Sequence, residues 1–96
     1  MAFFPLEQIP KERIPELECK HSEVLQDHSA LCDRKNSIER AINLSKNFYV
    51  KAQIIFETED GPKEVISTIW AAGEENIVLK GGISMPICCI HKVSIL

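Results

Sequence analysis

Along the second half of the chain, apolar and polar residues alternate. Val50, Ala52, Ile54 and Phe56 interleave with Lys51, Gln53, Ile55 and Glu57, the period-two signature of a half-buried strand. Asp60-Gly61-Pro62 then predicts a turn, because glycine tolerates positive φ and proline interrupts a ladder. Lys63 to Ala72 reads as a second strand, with Val65, Ile66, Ile69 and Trp70 apolar on both faces. In so short a chain that pattern predicts strong curvature. Gly73-Glu74-Glu75-Asn76 turns into Ile77-Val78-Leu79-Lys80, and Gly81-Gly82 turns again into Ile83-Ser84-Met85. Beyond Pro86, Ile87, Ile90 and Val93 recur every third residue, which predicts one 3₁₀ turn before a last strand, His91 to Leu96.

The first half is different. Pro5, Pro10 and Pro15 remove amide donors and hold their predecessors extended, so residues 1–15 are expected to form an extended leader. From Glu16, the apolar positions Leu17, Val24, Leu25, Ala30, Leu31 and Cys32 predict an amphipathic helix running to Arg34. Asn36 and Glu39 then have the spacing of a capping box over Ile38, Ala41, Ile42 and Leu44, predicting a short helix from Ser37 to Ser45. The expected organisation is a leader at 1–15, a helical extension at 16–47 and a small β-barrel at 48–96. The fold class is mainly β with N-terminal helices: a five-stranded SH3-like or Sm-like barrel preceded by one or two helices. Closure of a barrel removes exposed sheet edges, and a helix covers an open end.

Length and charge narrow this further. Ninety-six residues allow one domain. With 45% apolar and 26% charged residues, the chain is neither disordered throughout, collagen-like nor a coiled-coil rod. No apolar run reaches the roughly 18 residues of a membrane span. The start, Met1-Ala2-Phe3-Phe4-Pro5-Leu6, has no basic n-region and no long apolar stretch, and the four cysteines lack a secretory context. A cytoplasmic protein is expected. Eleven basic against 14 acidic residues give a net charge of −3, which removes a broad nucleic-acid footprint but leaves room for a local basic patch.

Several segments carry a resemblance. Ile54-Ile55-Phe56-Glu57-Thr58, Val65-Ile66-Ser67-Thr68-Ile69-Trp70-Ala71, Ile77-Val78-Leu79-Lys80-Gly81-Gly82, and Met85-Pro86-Ile87 through Ile90-His91-Lys92-Val93 resemble a family of small, largely uncharacterised bacterial proteins typical of Bacteroidetes. In plan, with Cys32-Asp33 and Ile38-Glu39 loosely matching, the chain is also distantly similar to Rho-binding antiterminators of the Rof kind, which act by direct binding. The resemblance implies no catalytic residues.

Candidate chemistry is sparse. Cys19, His21, His28 and Cys32 form a C-x-H…H-x₃-C array, but C-x-H is a poor chelating spacing, and no metal or other cofactor is expected. Cys88 and Cys89 sit among Ile87 and Ile90 and read as small hydrophobes, so a cysteine nucleophile paired with His91 is not expected. Glu57, Glu59, Asp60 and Glu64 read as a solvated hairpin tip. No enzyme is expected. For binding, Lys80 with Gly81-Gly82 forms a basic glycine loop, and Tyr49, Lys51 and Gln53 lie on the outward side of the first strand. Burial preferences place Trp70, the sole tryptophan, in the core; exposed, it would stack on a base or anchor a partner. The expected function is a non-enzymatic regulatory module with a protein partner. The alternatives are an RNA- or DNA-binding protein, or a module that self-associates, for instance as a homodimer, through a Leu17/Val24/Leu25/Leu31 stripe.

Overall fold

A computed structural model describes residues 7–19, 22–47 and 50–96. The elements run β1 (Glu7–Gln8), a 3₁₀ helix (Lys11–Glu16), α1 (His28–Asn47), β2 (Ala52–Thr58), β3 (Gly61–Ser67), β4 (Ile69–Ala72), β5 (Asn76–Leu79), β6 (Ile83–Pro86) and β7 (Ile90–Ile95). The strands form two sheets, ordered β1-β3-β2-β7 and β4-β5-β6. This corrects the sequence-based fold: the described residues form seven strands in two sheets rather than one closed five-stranded barrel, and the one long helix among them is mid-chain rather than N-terminal.

The division into two sheets happens at Thr68. The expected second strand, 63–72, is two strands. Through Ser67 it pairs with β2, from Ala52↔Ser67 to Thr58↔Gly61. From Ile69 it pairs with β5 instead, and the Lys80 N–H donates to the Thr68 carbonyl at 2.9 Å. Its two-faced apolar pattern is resolved here, because each half has its own partner. A register shift between Ile69 and Ala71 turns Ile69 inward and leaves Trp70 53% exposed. Core placement of Trp70 is therefore corrected.

The alternation of the first strand is realised directly. Ala52, Ile54, Phe56 and Thr58 are all buried along β2. Ala52, Ile54 and Phe56, with Val65, Ile69, Ile77, Leu79, Met85, Cys89, Ile90 and Val93, make the centre of a single core cluster. The segment 87–89 is a hydrogen-bonded turn, Ile90 N–H to Ile87 O at 2.9 Å, that leads into β7.

The N-terminal half departs furthest from expectation. Within 1–15 the described part is not a free leader: β1 pairs in parallel with Lys63 and Glu64, and Ile9 and Ile14 are buried. The described residues between Leu17 and Asp27 are not helical. Cys19 bridges Thr58 as a continuation of the sheet, the Glu59 N–H donates to Glu18 O at 2.9 Å, and the Val24 N–H donates to Cys88 O at 3.0 Å. Those cross-chain bonds satisfy the backbone more firmly than an isolated, moderately amphipathic helix does. The expected break at Asn36 is also absent, because Arg34, Ile38 and Ala41, at helical spacing, are buried on one face of α1. Consequently Leu17, Val24, Leu25 and Leu31 lie on three different segments and form no single helical stripe. No helix among the described residues is long and apolar enough to cross a membrane.

Candidate functional site

The bend at Thr68 brings lysines together. One residue beyond the Ala52↔Ser67 pair, Lys51 lies beside Thr68 on the β2 side. Lys80, the first residue after β5, is hydrogen-bonded to Thr68 from the other side. The Lys80-Gly81-Gly82 turn closes with the Gly82 N–H on Leu79 O at 3.0 Å, and Gly81 takes φ +92°, a conformation that favours glycine. The Lys11 side chain lies alongside this turn: a methyl on Gly81 would sit in ordinary contact with Lys11 Cε, at 3.6 Å.

The outcome is a pocket of about 160 Å³ lined by Lys11, Lys51, Lys80, Ile66, Ser67 and Thr68. Three lysines from three separate parts of the chain line it together with Ser67 and Thr68, and no carboxylate residue is among the described residues that line the space. Lys11 also contacts the exposed Glu12 carboxylate at 3.4 Å at the rim. The pocket is small beside the roughly 300–1,000 Å³ of sites for drug-sized ligands, so it accommodates one compact anionic group. Ammonium groups are point charges that hold phosphate without demanding a fixed fork geometry.

Lys51 and Lys80, which the sequence offered as parts of two separate candidate surfaces, line one pocket here, with Gly81 in the adjoining turn. Trp70 lies two residues beyond Thr68, exposed, and does not line the pocket itself. Gly82 completes the turn, while Tyr49 lies outside the described residues. Lys11 was missed: it belongs to the Pro-rich segment, and nothing in the local sequence connects it to Lys51 or Lys80.

Other candidates resolve differently. His28 and Cys32 share a face of α1, with Sγ and Nε2 3.5 Å apart, whereas Cys19 is buried at the edge of β2 and His21 lies outside the described residues. Among the described residues no group of three or more His, Cys, Asp or Glu side chains is placed to hold a metal ion. His91 Nε2 lies 2.9 Å from Glu57 Oε1, and the Cys89 thiol donates to Pro86 O at 3.2 Å. Comparison with known protein families, characterised proteins and solved structures returns no match for this chain.

Proposed function

We propose that the protein is a non-enzymatic binding module for single-stranded nucleic acid, holding one backbone phosphate in the Lys11/Lys51/Lys80 pocket and stacking a base on Trp70. The observation that carries this reading is the convergence of three lysines, free of any lining carboxylate, in a chain whose net charge is −3. Concentrating positive charge against the overall balance marks a local anion site rather than a solvated surface. The exposed indole beyond Thr68 adds the sequence-tolerant stacking face that single-strand binders combine with a basic track. A protein-binding role, expected first from sequence, has no comparably specific feature.

The test is a fluorescence anisotropy titration with a labelled single-stranded oligouridylate, with its DNA counterpart as a second arm. Each phosphate neutralised on a single strand contributes about 0.7 to the slope of log affinity against log salt, so one to three contacts predict a slope of roughly −0.7 to −2. Lys51→Glu and Lys80→Glu should each weaken binding about tenfold, a loss of ~1.4 kcal/mol, and flatten that slope. Absence of binding at low salt, or binding indifferent to both reversals, would overturn the proposal.

A further inference from the structure

Along one edge of β2 the partner chain changes. Phe56 pairs with Ile90 of β7, the Glu57 N–H donates to Cys89 O at 2.8 Å, and Thr58 pairs with Cys19. The N-terminal segment therefore takes over the ladder just beyond the first residue of β7. Cys89 and Cys19 stand opposite consecutive residues of β2, one strand rise of roughly 3.4 Å apart along the edge. Both are buried in the same core cluster. Neighbouring positions on one strand edge bring the two cysteines, far apart in sequence, side by side, which is the placement a disulfide requires.

From this geometry we infer that Cys19 and Cys89 are a redox pair that closes to an intramolecular disulfide on exchange with a small-molecule disulfide such as oxidised glutathione. Cys19 is the entry point, because it lines a cavity of about 500 Å³ with Ile14, Pro15, Leu17, Glu59 and Pro86, whereas Cys89 is fully enclosed. Hydrogen bonding from Cys89 to the Cys19 thiolate, once it forms, holds the Cys19 thiol down at about 7, and the same interaction together with burial pushes Cys89 up, so it keeps its proton until the second step. In the first step the Cys19 thiolate attacks one sulfur of R–S–S–R, forming a mixed disulfide and releasing RS⁻. In the second, Cys89 gives up its proton and its sulfur attacks Cys19 Sγ, expelling the other RS⁻. The two protons lost by the cysteines end on the two released thiols. Two protein thiols are oxidised and one R–S–S–R is reduced to two RSH. The bond ties the N-terminal segment to the start of β7 and is independent of the phosphate pocket.

The experiment uses the folded wild-type chain exposed to oxidised glutathione, acid-quenched, alkylated and digested with trypsin without reduction. The expected product joins peptide 14–20 to peptide 81–92. Because peptide 81–92 contains both Cys88 and Cys89, Cys88→Ser should retain the link, and Cys89→Ser should leave Cys19 trapped as the mixed disulfide. Full alkylation of Cys19 after oxidation of the wild type would overturn the inference. So would a link that Cys88→Ser abolishes and Cys89→Ser preserves. The wild-type result decides the matter even where a variant folds poorly.

Discussion

Trp70 shows how one residue's position sets its role. A fully enclosed indole buries up to about 250 Å², and with 53% of Trp70 exposed only about half of that contact remains. At ~25 cal/mol/Å² the remainder is worth at most about 2–3 kcal/mol, below the ~3–5 kcal/mol typical of truncating a core aromatic. Trp70→Ala should therefore leave a folded protein with a modestly lowered melting temperature, while losing roughly 1–3 kcal/mol of single-strand affinity. As the only tryptophan, it also reports directly. Its emission should be quenched readily by iodide and protected when oligonucleotide is added. Poor quenching of the free protein, or no protection at saturation, would remove it from the site. The lysines teach a related lesson, since Lys51 and Lys80 were legible from their strand-edge and turn positions, whereas Lys11 carries no local signal.

At the scale of elements, α1 is fastened by one side chain more than by its own propensity. Arg34 is nearly enclosed at 8% exposure, donates to both Glu23 carboxylate oxygens at 2.6 Å, and reaches Ile90 O at 3.0 Å. It thereby joins the irregular segment 22–27, the helix and β7. Further along, the Ser45 hydroxyl contacts Ile42 O at 2.8 Å and Ile69 O at 3.1 Å, linking α1 to β4. The hydrogen bond from Arg34 holds the Glu23 carboxyl below its ordinary 4.5, with burial opposing. A folded-state pKa below the unfolded value stabilises fully above about 4.5 and is lost as pH falls through the lowered folded value. Glu23→Gln should cost roughly 1–3 kcal/mol near neutral pH. That is less than the ~3–5 kcal/mol for a fully buried pair, because Glu23 keeps partial solvent contact. Glu7 is also held low, first by its hydrogen bond from Lys63, so the difference in urea midpoint between wild type and variant isolates Glu23. That difference should shrink as pH drops below 4.5. A difference constant across the acid range would show that the carboxylate charge is not what holds Arg34.

For the molecule as a whole, the strands do not make a core by themselves. Ile14, Cys19, Ile38 and Ala41 belong to the same cluster as Ile54, Phe56 and Ile90. The 3₁₀ helix lies against β6, and α1 lies against β4 and β7. A fragment of residues 48–96 should therefore lack fixed tertiary structure: its near-ultraviolet dichroism should be weak and its amides should exchange rapidly, since about fifty residues without their covering segments bury too little apolar surface. Slow exchange across β2 and β7 in the isolated fragment would contradict this.

What the sequence determined by itself is what depends on near neighbours. Alternation fixed the inward face of β2, because successive side chains on a strand must point to opposite sides. Glycine at 81 marked a turn, because its positive φ suits glycine. What only the tertiary structure decided is where competing backbone partners lay far off in the chain. The described residues from Leu17 to Asp27 are not helical because β2 and Cys88 supply backbone hydrogen bonds at Glu18, Cys19 and Val24; no periodicity within the segment encodes those partners. The second strand divides at Thr68 because β5 replaces β2 beside it, and that exchange separates the two sheets. The same exchange sets Lys51 and Lys80 on either side of Thr68, and the 3₁₀ helix adds Lys11 from forty residues before Lys51. The pocket is a property of long-range pairing.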